Sequence, residues 1–318
     1  MPVIEQLRSA AGGAVARAFF AGTSRVARLH PHARPEFHDV EVQSDLPYGD
    51  GPRHRLDLYR PKSASGPMPT VFYIHGGGFR ILSKETHWIM GLAFARKGYL
   101  VVNVEYRLAP KDPFPAAVED VADAFSWLVD EGPSHGVDLS RLVFAGESAG
   151  ANLASTLALS TVYERPEPHA KKVFETGVVP KAVIPACGIL QVSDVERFAR
   201  RKPDFPPLVL DRIQEVQRGY LTQPLTDYGS SLDLADPLVW AERGETPARP
   251  LPPFLLQVGT RDPLLDDTRR MQRALTQMGG VAEAQYYPGG IHAFHAFVFL
   301  ESAKRCWREK YGFLERYV

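Results

Sequence analysis

The chain of 318 residues is 44% apolar and 23% charged, an ordinary globular balance with core enough for one large domain that carries insertions. Its 37 Lys and Arg equal its 37 Asp and Glu, so nothing in the charge draws nucleic acid or an anionic membrane, and a small neutral ligand suits it better. Cys187 and Cys306 stand far apart without metal or C-x-x-C spacing, which excludes a disulfide framework and reads as buried thiols in a reducing, cytoplasmic setting. No apolar run approaches the roughly eighteen residues of a membrane helix.

Residues 1 to about 40 read as helix then loop. The stretch from Ala10 to Ala21 is apolar apart from Arg17 and lacks a basic segment before it, which fits an amphipathic helix resting on the protein better than a signal peptide. His30, His32 and His38 follow, but Pro31 and Pro35 keep a helix from presenting them on one face, so they read as a solvated loop and not a metal site. Val40-Glu41-Val42 and His54 to Arg60 alternate in polarity, as a half-buried hairpin does. Thr70 to His75 and Leu100 to Val104 are continuous β-branched or aromatic runs, the mark of strands covered on both faces.

Helical stretches over Thr86 to Lys97 and Ala116 to Glu131 separate strands, which predicts a parallel sheet with right-handed crossovers. Further strands are expected at Arg141 to Ala145, Ala182 to Ala186, which reads as buried, Phe254 to Gly259 and Ala282 to Tyr287, with helices over Asp266 to Met278 and from about Ala296. Gln191 to Trp240 breaks the alternation. It is rich in charge and proline, holds one expected helix from Leu210 to Tyr220, and reads as an insertion over the end of the sheet.

Ligands of open α/β sheets bind beyond the carboxyl ends of the strands, and reactive residues collect there. Gly146-Glu147-Ser148-Ala149-Gly150 follows one strand and opens a helix; the glycines allow a sharp turn that holds the Ser148 hydroxyl clear as a nucleophile. His75-Gly76-Gly77-Gly78-Phe79 follows another, and its bare amides, with the N–H of Ala149, suit an oxyanion hole that His75 braces. Asp262 is placed to orient a histidine, whereas Asp266 or Asp267 better suits a helix cap. His292, on a glycine-bearing loop, is the base expected to reach Ser148; His295 falls inside the start of the last helix. The order Ser148, Asp262, His292 is that of the α/β-hydrolases.

On these motifs, together with Tyr106-Arg107-Leu108-Ala109-Pro110, Phe114 to Asp120 and Asp262 to Asp266, the chain resembles the hormone-sensitive-lipase-like family of carboxylesterases from about residue 40 to its end. The resemblance implies an α/β-hydrolase fold: a mostly parallel eight-stranded sheet with helices on both faces and a helical cap. On that reading, residues 1–318 form one domain, with the cap built from about 1–40 and 191–235 and the core from about 41–190 and 236–318. It also implies oxyanion donors at Gly77, Gly78 and Ala149, no cofactor, no metal, and a small ester as substrate. Phe79 and Glu147 are candidate pocket residues, Glu147 standing where the family often has aspartate. Short- to medium-chain acyl esters are expected, with amide or formamide hydrolysis, a long-chain lipase, or a non-catalytic receptor of the same fold as alternatives. The edge on Ala282 to Tyr287, together with the resemblance, points to a homodimer through the last strand.

Overall fold

A computed structural model describes residue 18 and residues 21–201 and 205–318, so the helix expected over 10–21 falls almost wholly outside the described residues. Eight strands form one sheet: β1 (Val40–Pro47), β2 (Arg55–Pro61), β3 (Met68–Ile74), β4 (Leu100–Val104), β5 (Val137–Glu147), β6 (Ala182–Ala186), β7 (Phe254–Gly259) and β8 (Ala282–Tyr287). Their spatial order is β1-β2-β4-β3-β5-β6-β7-β8; β2 runs against both neighbours and the remaining pairs are parallel.

Alternation along each strand divides the core into two layers. Val71 and Tyr73 of β3 and Val143 and Ala145 of β5 point to one face, which α1 (Trp88–Ala95) and the last helix, α9 (Glu301–Tyr317), cover with Phe94, Trp307 and Phe313. Phe72, Ile74, Leu142 and Phe144 point to the other, covered by α2 (Ala116–Asp130), α3 (Ala149–Val162) and α8 (Leu265–Gln277). Every residue of α3 is buried, because it lies between the sheet and the helices outside it. β5 sits at the centre of the sheet. Its register, Gly146 beside both Ile74 and Pro185, brings its carboxyl end level with those of its neighbours.

The insertion holds α5 (Glu196–Arg201), α6 (Pro207–Tyr220), a 3-10 segment at Leu225–Leu234 and α7 (Pro237–Glu242). Two buried aspartates fasten it. Asp267 takes the Arg197 guanidinium at 2.6 and 2.7 Å and the Leu190 N–H at 2.9 Å. Asp236 accepts the Val192 and Ser193 N–H groups.

Several expectations need correction. Asp266 and Asp267 do not cap α8; they lie in its first turn, and the side chain of Asp267 is drawn inward by Arg197. The last helix begins at Glu301, and His295 lies before it in a 3-10 turn at Phe294–Ala296. Residues 31–38 form two 3-10 turns, with the His38 ring donating to the His32 carbonyl at 2.8 Å. The helices α4 (Pro168–Glu175), α5 and α7 had no counterpart among the expected elements.

Candidate active site

Ser148 sits between β5 and α3 with φ 54° and ψ −115°, a backbone conformation costly for a residue with a side chain. Its neighbours enforce the turn. A Cβ at Gly146 would lie 2.4 Å from the Gly150 carbonyl oxygen, and one at Gly150 would lie 2.1 Å from the Ile74 carbonyl oxygen. Only glycine fits at either place. The Ser148 N–H is held by the Ala186 carbonyl at 3.0 Å, so the strand ends on both sides fix the turn. Ala149 opens α3, where the first N–H groups have no partner within the helix and the positive dipole end faces outward.

The loops beyond β7 and β8 are tied to each other. The Arg261 N–H donates to the Gly290 carbonyl at 2.9 Å, and the Gly289 N–H donates to Thr260 Oγ1 at 2.9 Å. These ties bring together residues far apart in sequence. His292 Nδ1 lies 2.9 Å from Asp262 Oδ2, and His292 Nε2 lies 3.1 Å from Ser148 Oγ. An ionised carboxylate only accepts, so Nδ1 carries the proton and the neutral ring offers Nε2 as acceptor to the Ser148 hydroxyl. Burial pushes the His292 imidazole down, but the charge and hydrogen bond of Asp262, with the charge of Glu147, bring it above the ordinary histidine value. Asp262 is buried, while 37% of the His292 side chain is exposed on the cavity side.

The glycine loop lies beside this pair. Gly77 has φ 116° and Gly78 φ 59°, and a Cβ on Gly77 would lie 1.9 Å from the Ile81 carbonyl oxygen. The Arg80 and Ile81 N–H groups both close on the Gly77 carbonyl, which turns the peptide groups of the loop. His75 donates from Nδ1 to the Gly76 carbonyl at 2.7 Å and stacks on Tyr106 with ring centroids 4.2 Å apart, so it braces the loop.

The two candidate pocket residues take different places. Phe79 is fully buried and stacked on Tyr220 of α6, with ring centroids 3.8 Å apart; it supports the wall from behind and does not line it. Glu147 borders the cavity, but its carboxylate is engaged by His87 and His295. Sequence reasoning passed over His87 and set His295 aside as part of the last helix. The available signal was Glu147 itself, since a carboxylate within a buried turn needs partners.

Ser148, His292, Gly77 and Gly78 open onto one cavity of about 1990 Å³, walled largely by apolar side chains that include Met90, Ile213 and Val216. Cys187, Asp262 and His292 bring potential ligand atoms within 4.8 Å of one another. Asp262 and His292 spend theirs on each other, and burial raises the Cys187 thiol, so it stays protonated and is a poor ligand. Among the described residues, no helix is long and apolar enough to cross a membrane.

Residues 71–296, more than two thirds of the chain, match the model of a family described by the alpha/beta hydrolase fold. The versiconal hemiacetal acetate esterase of Dothistroma septosporum is 28% identical over 289 residues, covering 87% of this chain and 80% of that protein. Among solved structures, a hyperthermophilic esterase from the archaeon Pyrobaculum calidifontis superposes with a TM-score of 0.76 at 27% identity, covering 99% of this chain and 98% of the other. A bacterial heroin esterase superposes with a TM-score of 0.70 at 26% identity, covering 87% and 83% of the two chains. The chain belongs to the α/β-hydrolase-fold family, among its carboxylic ester hydrolases.

Proposed function

We propose that ester hydrolysis in this chain runs through an acyl-enzyme on Ser148, with His292 as general base and acid and Asp262 as its orienting carboxylate. The observation that carries this reading is the unbroken chain from Ser148 Oγ to His292 at 3.1 Å and from His292 to Asp262 at 2.9 Å. As Oγ attacks the ester carbonyl, Nε2 takes its proton and Asp262 stabilises the imidazolium. The N–H groups of Gly77, Gly78 and Ala149 hold the oxyanion. The imidazolium then protonates the leaving alcohol, and a water activated by Nε2 releases the acid. Ser148→Ala assayed on p-nitrophenyl acetate tests the reading; it is expected to fold normally with kcat lowered on the order of a millionfold. Turnover near wild type rejects it.

Short- to medium-chain acyl esters are the proposed substrates. One observation favours a bulky apolar group on the alcohol or the acyl side: the cavity, at about 1990 Å³, exceeds the roughly 300–1,000 Å³ of ordinary small-molecule pockets. Exposed Ile291, Val298 and Phe299 also stand in its wall. A chain-length series of p-nitrophenyl esters, with one anilide, separates these substrates. Highest kcat/KM on the acetate contradicts the bulky reading, and anilide turnover to match the ester contradicts the ester reading.

The cap reading, about 1–40 and 191–235, is supported by Pro206, Ile213 and Val216 of the insertion in the cavity wall. Pairing of two copies through β8 is supported by its place at the sheet edge. Sedimentation at micromolar concentration tests this pairing. A cytoplasmic location is supported by the two buried free thiols.

A further inference from the structure

Glu147 directly precedes the nucleophile, is 7% exposed, and has no part in the proton transfers above. Its two oxygens go to histidines on opposite sides of the site. Oε1 lies 2.9 Å from His87 Nε2, and Oε2 lies 2.7 Å from His295 Nε2. His87 stands at the start of α1, and its Nε2 approaches the Gly76 nitrogen to 3.3 Å. His295 follows His292 by three residues, and the Trp307 indole N–H holds its carbonyl at 3.0 Å. Gly76 packs so closely that a Cβ there would lie 2.9 Å from the Glu147 carbonyl oxygen and 3.2 Å from its Cγ. One carboxylate therefore meets the glycine loop, the nucleophile turn and the loop that carries the base.

We propose that Glu147 is a positioning residue for the reaction: through His87 and His295 it locks these three segments in register, and it sets a second buried negative charge near the His292 imidazole. This rests on the acyl-enzyme reading. Ionised, Glu147 offers acceptors only, so His87 Nε2 donates to Oε1, while His295 Nε2 faces Oε2 at ion-pair distance. His87 also points Nδ1 at the Ser83 carbonyl, 3.0 Å away, so its ring bridges the Glu147 carboxylate to the start of α1.

The electrostatics agree. Burial opposes charge on Glu147, yet the close approach of His295 and His87 holds its carboxyl well below the usual range. Burial opposes charge on His87 too, and Glu147 reverses this and raises it. Burial lowers His295, toward its uncharged form. Of the other groups facing the cluster, burial pushes Cys187, Tyr73 and Tyr106 up and Lys310 down, each toward its uncharged form. Glu105 is spent on Arg53 and the Lys84 N–H. The negative charge raising His292 thus comes from Asp262 and, behind it, Glu147.

The test is Glu147→Gln in the full chain, assayed on p-nitrophenyl acetate across pH. The amide keeps the shape but removes the charge and one acceptor. The expected result is a kcat lower by roughly 10- to 100-fold, with KM within about threefold. The acid limb of kcat/KM is also expected to move to lower pH, and Glu147→Asp, which keeps the charge, to restore that limb and most of kcat. Unchanged kcat, an unmoved acid limb, or no rescue by aspartate overturns the proposal. Should Glu147→Gln fail to fold, His295→Leu decides: it removes one clasp, kcat is expected to fall with KM held, and an unchanged kcat overturns the proposal. Ser148→Ala in parallel separates the two readings. If it is inactive while Glu147→Gln behaves as wild type, only this proposal falls; if it is active, the acyl-enzyme reading falls with it.

Discussion

Asp262 divides its carboxylate between His292 and its own loop: Oδ2 accepts the His292 Nδ1–H at 2.9 Å, and Oδ1 accepts the Leu264 N–H at 2.8 Å. The second bond supplies the turn into α8 that a cap would otherwise provide, and it fixes the rotamer that aims Oδ2 at the imidazole. In Asp262→Asn the amide oxygen can still accept from Leu264, leaving the NH₂ toward His292. That favours the tautomer with its proton on Nε2, which cannot accept from Ser148. The expected outcome is a kcat lower by about 10⁴ with Tm nearly unchanged, measured by steady-state assay and thermal unfolding.

The base works only when neutral. The His292 imidazole titrates above the ordinary 6.5 because Asp262 outweighs the effect of burial. The kcat/KM profile is therefore expected to fall as pH drops through a midpoint above 6.5. The linkage sign for stability is opposite. A folded pKa raised above the unfolded value stabilises the fold below the unfolded value, and that contribution is lost as pH rises through the folded one. Activity lost on the acid side through His292 thus comes without a drop in Tm from this group. A midpoint at or below 6.5 contradicts the assignment.

Gly77 has no room for a side chain. At φ 116°, with the Ile81 carbonyl oxygen 1.9 Å from any Cβ, alanine there forces the loop to move and turns its amides away from the oxyanion position. Gly77→Ala is expected to lower kcat by about 10²–10³ while KM changes little. Equal loss in kcat and 1/KM, read from saturation kinetics, argues for a distorted pocket instead.

Strands were legible because burial on both faces leaves a plain signature: Leu100 to Val104 is apolar but for Asn103, and all five residues are buried. Ser148 and Asp262 were legible for a related reason, since each follows such a strand beside glycine, and His292 by Gly289 and Gly290 after the partly buried edge strand β8. Short helices were not. Pro237–Glu242 and Glu196–Arg201 span fewer than two turns, too short for a period of 3.6 to show, and tertiary contacts hold them. The start of α9 was misplaced because Phe297 to Leu300 continue the apolar run without being helical. Phe79 was misread because its burial under Tyr220 depends on a helix 141 residues later, a pairing that no local pattern encodes. His87 was missed on the same ground, and His295 was assigned to the last helix because that helix was started too early.

The insertion is held by a buried ion pair. Asp267→Ala leaves the Arg197 guanidinium buried without its carboxylate and strands the Leu190 N–H. Breaking such a pair costs about 3–5 kcal/mol, expected as a lower urea midpoint at an unchanged m-value. A midpoint within error of wild type contradicts this role.

The central claim is that Ser148 is activated by the chain of bonds through His292 to Asp262. Intact mass and peptide mapping after brief exposure to a fluorophosphonate test it most directly. The expected result is one adduct per chain, mapped to Ser148, formed rapidly in wild type and not at all in Ser148→Ala. An unlabelled Ser148 in enzyme that still hydrolyses p-nitrophenyl acetate, or labelling that maps elsewhere, contradicts it.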